Sequence, residues 1–186
     1  MNNMKHAFEK AGIKGGGEMQ KVCRICQKPL KDDKFDTCYD CSQSQKNRRP
    51  DVLPSDYLNK LKKGYFNEKG YLWEDFITTD AEEVARSFGT GYPKLKNHQL
   101  RRFYTHAKAA ENRLKMTKDW DAVNLNIKKL SPFASEAKGK DKIPQSFYEF
   151  IDRNIKTIKI QKDFEEGFMQ HFEAVVAYFT YLYPKS

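Results

Sequence analysis

From Tyr57 onward, apolar residues recur every three or four positions, the spacing of one face of an α-helix. Phe164, Phe168, Phe172, Val175, Val176, Phe179 and Leu182 follow this rule, and so do Phe147, Phe150, Ile151, Ile155 and Ile158. The pattern predicts five helices: 54–63, 81–88, 98–118, 145–159 and 163–183. A sixth helical stretch is expected at 120–130, where Val123, Ile127 and Leu130 share a face. Thr79 or Asp80 suits the start of the second helix, Asn97 the third and Pro144 the fourth. Gly89-Thr90-Gly91 is expected to stop the second, and Pro184 the last. No stretch of strict alternation follows residue 57, and no internal repeat is present. The expected fold class is all-α, a small bundle of about five helices whose aromatic stripes form the core.

The first 56 residues read differently. Gly12 and Gly15-Gly16-Gly17 mark residues 1–19 as a flexible arm. Residues 20–46 hold all four cysteines. Residues 47–56 read as a linker, within a polar run that starts at Gln43 and in which Pro50 and Pro54 discourage helix. The bundle domain then occupies 57–186.

The cysteines fall as Cys23-Arg-Ile-Cys26 and Cys38-Tyr-Asp-Cys41, eleven residues apart. Each pair lets one turn present two sulfurs to one ion, and two such turns make the tetrahedral four-thiolate site of structural Zn²⁺. So short a segment has little core of its own, and the metal would supply on the order of 10 kcal/mol of its folding free energy. Gln27 and Ser42 stand where many zinc turns carry glycine. A closed four-sulfur site has no position for water and does not by itself make an enzyme.

Thirteen Phe, two Trp and ten Tyr argue against wholesale disorder. The longest unbroken apolar run, Ala174 to Phe179, is far short of the roughly 20 residues a membrane helix needs. Met1 to Lys10 has no apolar stretch like a signal peptide, so a reducing, cytoplasmic setting without membrane contact is expected. The net charge is +9, which favours polyanionic partners.

Between Lys94 and Lys115 seven basic residues face one acid, Glu111. That excess equals the net charge of the whole segment after residue 56. On a helix, Leu100, Phe103, Ala107, Ala110 and Leu114 share one face, while Arg101, Lys108 and Lys115 align on the other with Thr105 and Asn112 between them. Arg102 and Arg113 flank that stripe. Solvated faces usually mix signs; here only Glu111–Lys115 has the favourable spacing. The expectation is a cationic ladder that binds an RNA or DNA backbone, with Lys96, Lys128, Lys129 and the loop Lys138-Gly-Lys140-Asp-Lys142 extending it.

No P-loop, His-Glu-x-x-His, Gly-x-Ser-x-Gly or Cys–His nucleophile occurs, so no enzyme is expected. The acidic clusters Glu74-Asp75, Asp80-Glu82-Glu83 and Asp163-Glu165-Glu166 suit helix starts. His6, His98, His106 and His171 are scattered and read as surface or boundary residues.

The run Leu95-Lys-Asn-His-Gln99-Leu100-Arg101-Arg102-Phe103-Tyr104 resembles the signature helix of the small subunit of type III-A CRISPR effector complexes, the Csm complex. Phe168-Met-Gln-His-Phe172-Glu-Ala-Val-Val-Ala-Tyr178 resembles that family's closing phrase, with His171 where a Phe is common. The resemblance covers about residues 71–183. It implies a small helical protein, present in several copies along a filament and lining the guide and target RNA without doing chemistry. It implies as partners the guide RNA, the target RNA and the other Csm subunits. Arg101 and Arg102 match the family's basic motif; Lys108, Arg113 and Lys115 rest on helix geometry alone. The cysteine module lies outside the family core, and its role is left open between subunit docking and a nucleic-acid clamp with Arg24, Lys28 and Lys31. Aromatics near Tyr178–Tyr183 leave room for self-association as a homodimer. The competing readings are a free-standing zinc-containing protein binding structural RNA, and a metal-dependent nuclease.

Overall fold

The spacing of apolar residues is realised as helix in the computed structural model, which describes residues 21–24, 26–32, 34–46 and 51–186, with the side chains of all but 43–46. Among these are eight α-helices and no strand, only two isolated bridges, Val22–Pro29 and Phe66–Leu72. The fold is all-α, with a four-cysteine cluster near the N-terminus. The expected arm, 1–19, lies outside the described residues. The chain divides into two compact units, the cysteine segment and the helical segment that follows it. No helix among the described residues is long and apolar enough to cross a membrane.

In the first unit, α1 (Tyr39–Lys46) begins inside the second cysteine pair. It continues into the polar run from Gln43 that composition marks as irregular.

The second unit holds α2 (Ser55–Lys62), α3 (Thr79–Thr90), α4 (Asn97–Thr117), α5 (Trp120–Lys128), α6 (Leu130–Gly139), α7 (Gln145–Thr157) and α8 (Met169–Leu182). A 3-10 turn, Glu74–Ile77, precedes α3, and wide π-type turns, Asp163–Phe168, lead into α8. Helix α3 lies along α8, α4 packs on both α5 and α8, and α6 packs on α7.

Phe150 sits at the centre, its ring against Tyr57, Phe88, Phe147, Phe168, His171 and Phe172. Phe147 meets Phe88 and Phe103 edge-on at 5.1 Å, the arrangement the ring quadrupole favours. The phenylalanine stripes are therefore core, as their period implies, although Val176 and Leu182 are only partly buried.

Three features depart from the sequence reading. Helix α6 is additional: Leu130 and Ala134 are buried and Ala137 packs against the core, and Pro132 is tolerated because it lies in the first turn. Helix α3 runs through Gly89 and stops at Gly91. Gly89 makes room for Tyr183, whose ring atom Cζ would lie 2.1 Å from any Cβ placed there. Asp51 and Leu53 are anchored to the bundle, although Val52 between them is exposed. Leu53 is buried, and the Asp51 carboxylate accepts the N–H groups of Gln145 (2.7 Å) and Ser146 (2.9 Å). It caps α7 from ninety residues away in the chain, a role that composition gives no hint of.

Candidate metal centre and nucleic-acid interface

The first cysteine pair is folded by a turn in which Gln27 N–H donates to Cys23 O (2.9 Å) and Cys23 N–H to Lys28 O (2.8 Å). Gln27 takes the left-handed conformation, φ 61°, that glycine enters most easily. The turn closes without it. The second pair needs no such residue, because Ser42 is helical and donates to Cys38 O at 2.9 Å. A knuckle and a helix start thus converge on one point.

The four sulfurs of Cys23, Cys26, Cys38 and Cys41 lie within 4.8 Å of one another. Cys26 and Cys38 are 3.7 Å apart. Metal–sulfur bonds of about 2.3 Å in a tetrahedron require a sulfur–sulfur spacing of about 3.8 Å, so the donor set fits one thiolate-bound metal ion. Cys23 is fully buried, whereas Cys26 is exposed. The Cys41 thiol is pushed up to about 12, first by its hydrogen bond with Cys38 and then by burial.

Helix α4 carries the basic run. Its buried face is Leu100, Phe103, Ala107, Ala110 and Leu114, as periodicity requires. Gln99, in the motif before the arginines, has a structural duty. Its Oε1 accepts Lys96 N–H at the helix start (2.9 Å), and its Nε2 donates to Lys142 O (2.9 Å). Asn97 sits inside the first turn and donates to Tyr183 O (2.8 Å). Lys96 itself occupies the position ahead of the helix.

The cationic stripe is not uniform. Glu111, 7% exposed, takes Lys108 on one carboxylate oxygen and Lys115 on the other, each at 2.7 Å. Glu173 lies 4.0 Å from Lys108 as well. Burial opposes the Glu111 carboxylate, but the two lysines outweigh it and hold its carboxyl below the usual range. Glu111 in turn holds the Lys108 ammonium above its usual range. These two lysines are committed to a clamp within the helix. Arg101, Arg102 and Arg113 are exposed, and none makes an ion pair within 4 Å among the described residues. The α4 cations outside the clamp are the arginines, and of these the charge of Arg102 reaches the Glu136 carboxylate.

Lys128 and Lys129 are exposed at the end of α5, two and three residues beyond Asn126, whose carbonyl meets His106 Nε2 at 3.4 Å. In the loop after α6, Lys140 pairs with Glu136, while Lys142 is exposed.

The acidic clusters are not all caps. Asp80 is buried and paired with Lys60 at 3.1 Å. Asp163 does accept backbone N–H groups, from Lys159 and Ile160. His171 is not a surface or boundary residue but fully buried. The family's aromatic at that place is the signal that could have shown it.

A family model described as Csm2 Type III-A matches residues 74–185, from the 3-10 turn to just past the end of α8. The match leaves the cysteine cluster and α2 outside. No curated protein and no solved structure matches the chain.

Proposed function

This chain belongs to the Csm2 Type III-A family, the small subunit of the type III-A CRISPR effector, and we propose that it grips the backbone of the paired guide and target RNA along α4. The observation that supports this is the arrangement of Arg101, Arg102 and Arg113. They are exposed, make no ion pair within 4 Å among the described residues, and are borne on a helix whose opposite face is fixed in the core. Guide sequences vary, so the protein must hold phosphates and shape while pairing reads sequence, a division of labour known in another RNA-guided system. Arginine suits the task because its planar fork matches phosphate. Lys96, Lys128 and Lys129 extend the surface, and Lys108 and Lys115 join it where a phosphate competes with Glu111. The subunit does no chemistry in this reading. It adds phosphate contacts and helps to hold the effector filament together.

The cysteine cluster holds Zn²⁺ through Cys23, Cys26, Cys38 and Cys41. The ion supplies folding free energy to a segment with almost no core and, with four thiolates, leaves no open position for catalysis.

Titration of fluorescent RNA against the protein at several salt concentrations tests the RNA reading. Replacing Arg101, Arg102 and Arg113 by Glu should abolish binding and leave the helical circular dichroism unchanged. Undiminished binding by that variant would overturn it.

A further inference from the structure

The face of α4 that carries Arg102 borders a cavity of about 260 Å³ between α4, α6 and the residues after α6. Its floor is apolar, made by Phe103 and Leu130. Phe133 forms one wall. This ring is 47% exposed and takes no part in the core cluster. It meets the His106 ring at 5.5 Å with the planes at 90°. His106 is held in turn against Asn126 O, so the aromatic wall is braced from behind. The lining carries three cations, Arg102, Lys140 and Lys142, and one acid, Glu136. Glu136 is paired with Lys140, and the charges of Lys142 and Arg102 also help to hold its carboxyl below the usual range, but neither of these two makes an ion pair within 4 Å among the described residues. The Lys142 segment is tied to α4 through Gln99, which fixes the width of the opening.

We propose that this cavity receives one unpaired nucleobase of a bound RNA, stacked on Phe133, with the flanking phosphates held by Arg102 and Lys142. The inference rests on the RNA reading above and adds to it a site for a base. An exposed, braced phenylalanine beside cations is the combination with which proteins hold single-stranded nucleic acid: the ring offers a face to any base, and the cations follow the backbone. A duplex does not present such a base without unstacking it, so the site selects unpaired nucleotides. Phe133 contributes surface and no charge. Its removal should therefore change affinity without changing the salt dependence, which counts phosphates.

The test uses the full-length protein and a fluorescent single-stranded RNA, with the same RNA annealed to its complement for comparison. Phe133→Ala should weaken single-strand binding about tenfold, keep the slope of log affinity against log salt, and leave duplex binding within about twofold. Phe133→Trp should retain binding, and its indole emission should be quenched as RNA saturates the protein. Full affinity of a folded Phe133→Ala, or unchanged Phe133→Trp emission at saturation, overturns the base site and leaves the RNA reading standing so long as the arginine variants lose binding. Wild-type protein that binds neither RNA overturns both. Quenching of Phe133→Trp by an acidic peptide but not by RNA would assign the cavity to a protein partner and overturn the base site.

Discussion

The Nδ1 nitrogen of His171 lies 2.5 Å from the carbonyl oxygen of Phe76. A carbonyl only accepts, so Nδ1 carries the proton. His171 Nε2 faces the Tyr57 hydroxyl at 3.2 Å, and that hydroxyl already accepts from Asn154 Nδ2 at 2.7 Å. Burial keeps the ring neutral, and its one proton is on Nδ1, so Nε2 accepts and Tyr57 donates to it, which fixes the imidazole in one tautomer. Tyr65 completes the chain by donating to Asn154 Oδ1 at 2.9 Å. All four side chains are fully buried, and each polar atom of the chain has the partner that burial demands.

Burial pulls His171 down to about 4, only partly opposed by its bond to Phe76. The unfolded imidazole takes its proton near pH 6.5, and the folded one only near 4. The stabilisation is thus complete above pH 6.5 and is lost as pH falls towards 4, a change of about 3 kcal/mol from this residue. Urea unfolding followed at intervals between pH 7 and 4 should show that loss. His171→Phe should start less stable, because Tyr57 and Phe76 lose a partner, but should lack the steep fall between pH 6.5 and 4.5. Parallel curves for the two proteins would contradict the assignment.

For the cysteine cluster, elemental analysis should return one zinc per chain. Cys26→Ser or a strong chelator should remove it. The amides of Cys23, Gln27 and Ser42, which close the two turns, should then exchange with solvent much faster. Less than half an equivalent of zinc in freshly purified protein would refute the site.

Much of this was legible in the chain, for identifiable reasons. The phenylalanine stripes are periodic, and period is what a helix core requires, so α4, α7 and α8 follow from Leu100 to Phe179. The cysteine spacing fixes two turns and, with them, four sulfurs. What escaped depends on contacts between distant residues. Asp51 looks like a linker residue until α7 arrives beneath it. His171 reads as polar until Tyr57 and Phe76 enclose it. Glu111 presents one visible partner four residues on, Lys115, yet it also holds Lys108 three residues back, and this divides the ladder into lysines inside the clamp and arginines outside it. Helix α6 hid because Leu130, Ala134 and Ala137 make a weak stripe of mostly small residues.

The cap on α7 yields a coupled pair of mutations. Asp51→Ala should cost about 1–2 kcal/mol, as two N–H groups at the helix start lose their acceptor. A Cβ on Gly91 would lie 2.4 Å from Asp51 Oδ1, so Gly91→Ala must push that carboxylate off the helix. The double variant should then be little worse than the more damaging single one, a non-additivity readable from three thermal or urea unfolding curves. Strict additivity would mean that Gly91 does not act through Asp51.

The sharpest prediction about the proposed RNA surface concerns Glu111, the one acid on α4 itself. Glu111 neutralises half of the charge that Lys108 and Lys115 bring to α4, and it does so from a nearly buried position. Glu111→Gln keeps the shape of the side chain, removes the negative charge, frees the Lys115 ammonium and leaves Lys108 only the more distant Glu173. The folded protein should lose about 1–2 kcal/mol, since a buried carboxylate paired twice is replaced by an amide that is paired less well. RNA affinity should move the other way. It should rise several-fold at moderate salt, and the dependence of log affinity on log salt should steepen by about 1–2, because two more cations reach phosphates. A mutation that weakens the fold while strengthening binding is hard to explain by damage. If RNA binding is instead unchanged or weaker in a variant that still shows native circular dichroism, then the exposed face of α4 is not where the backbone lies.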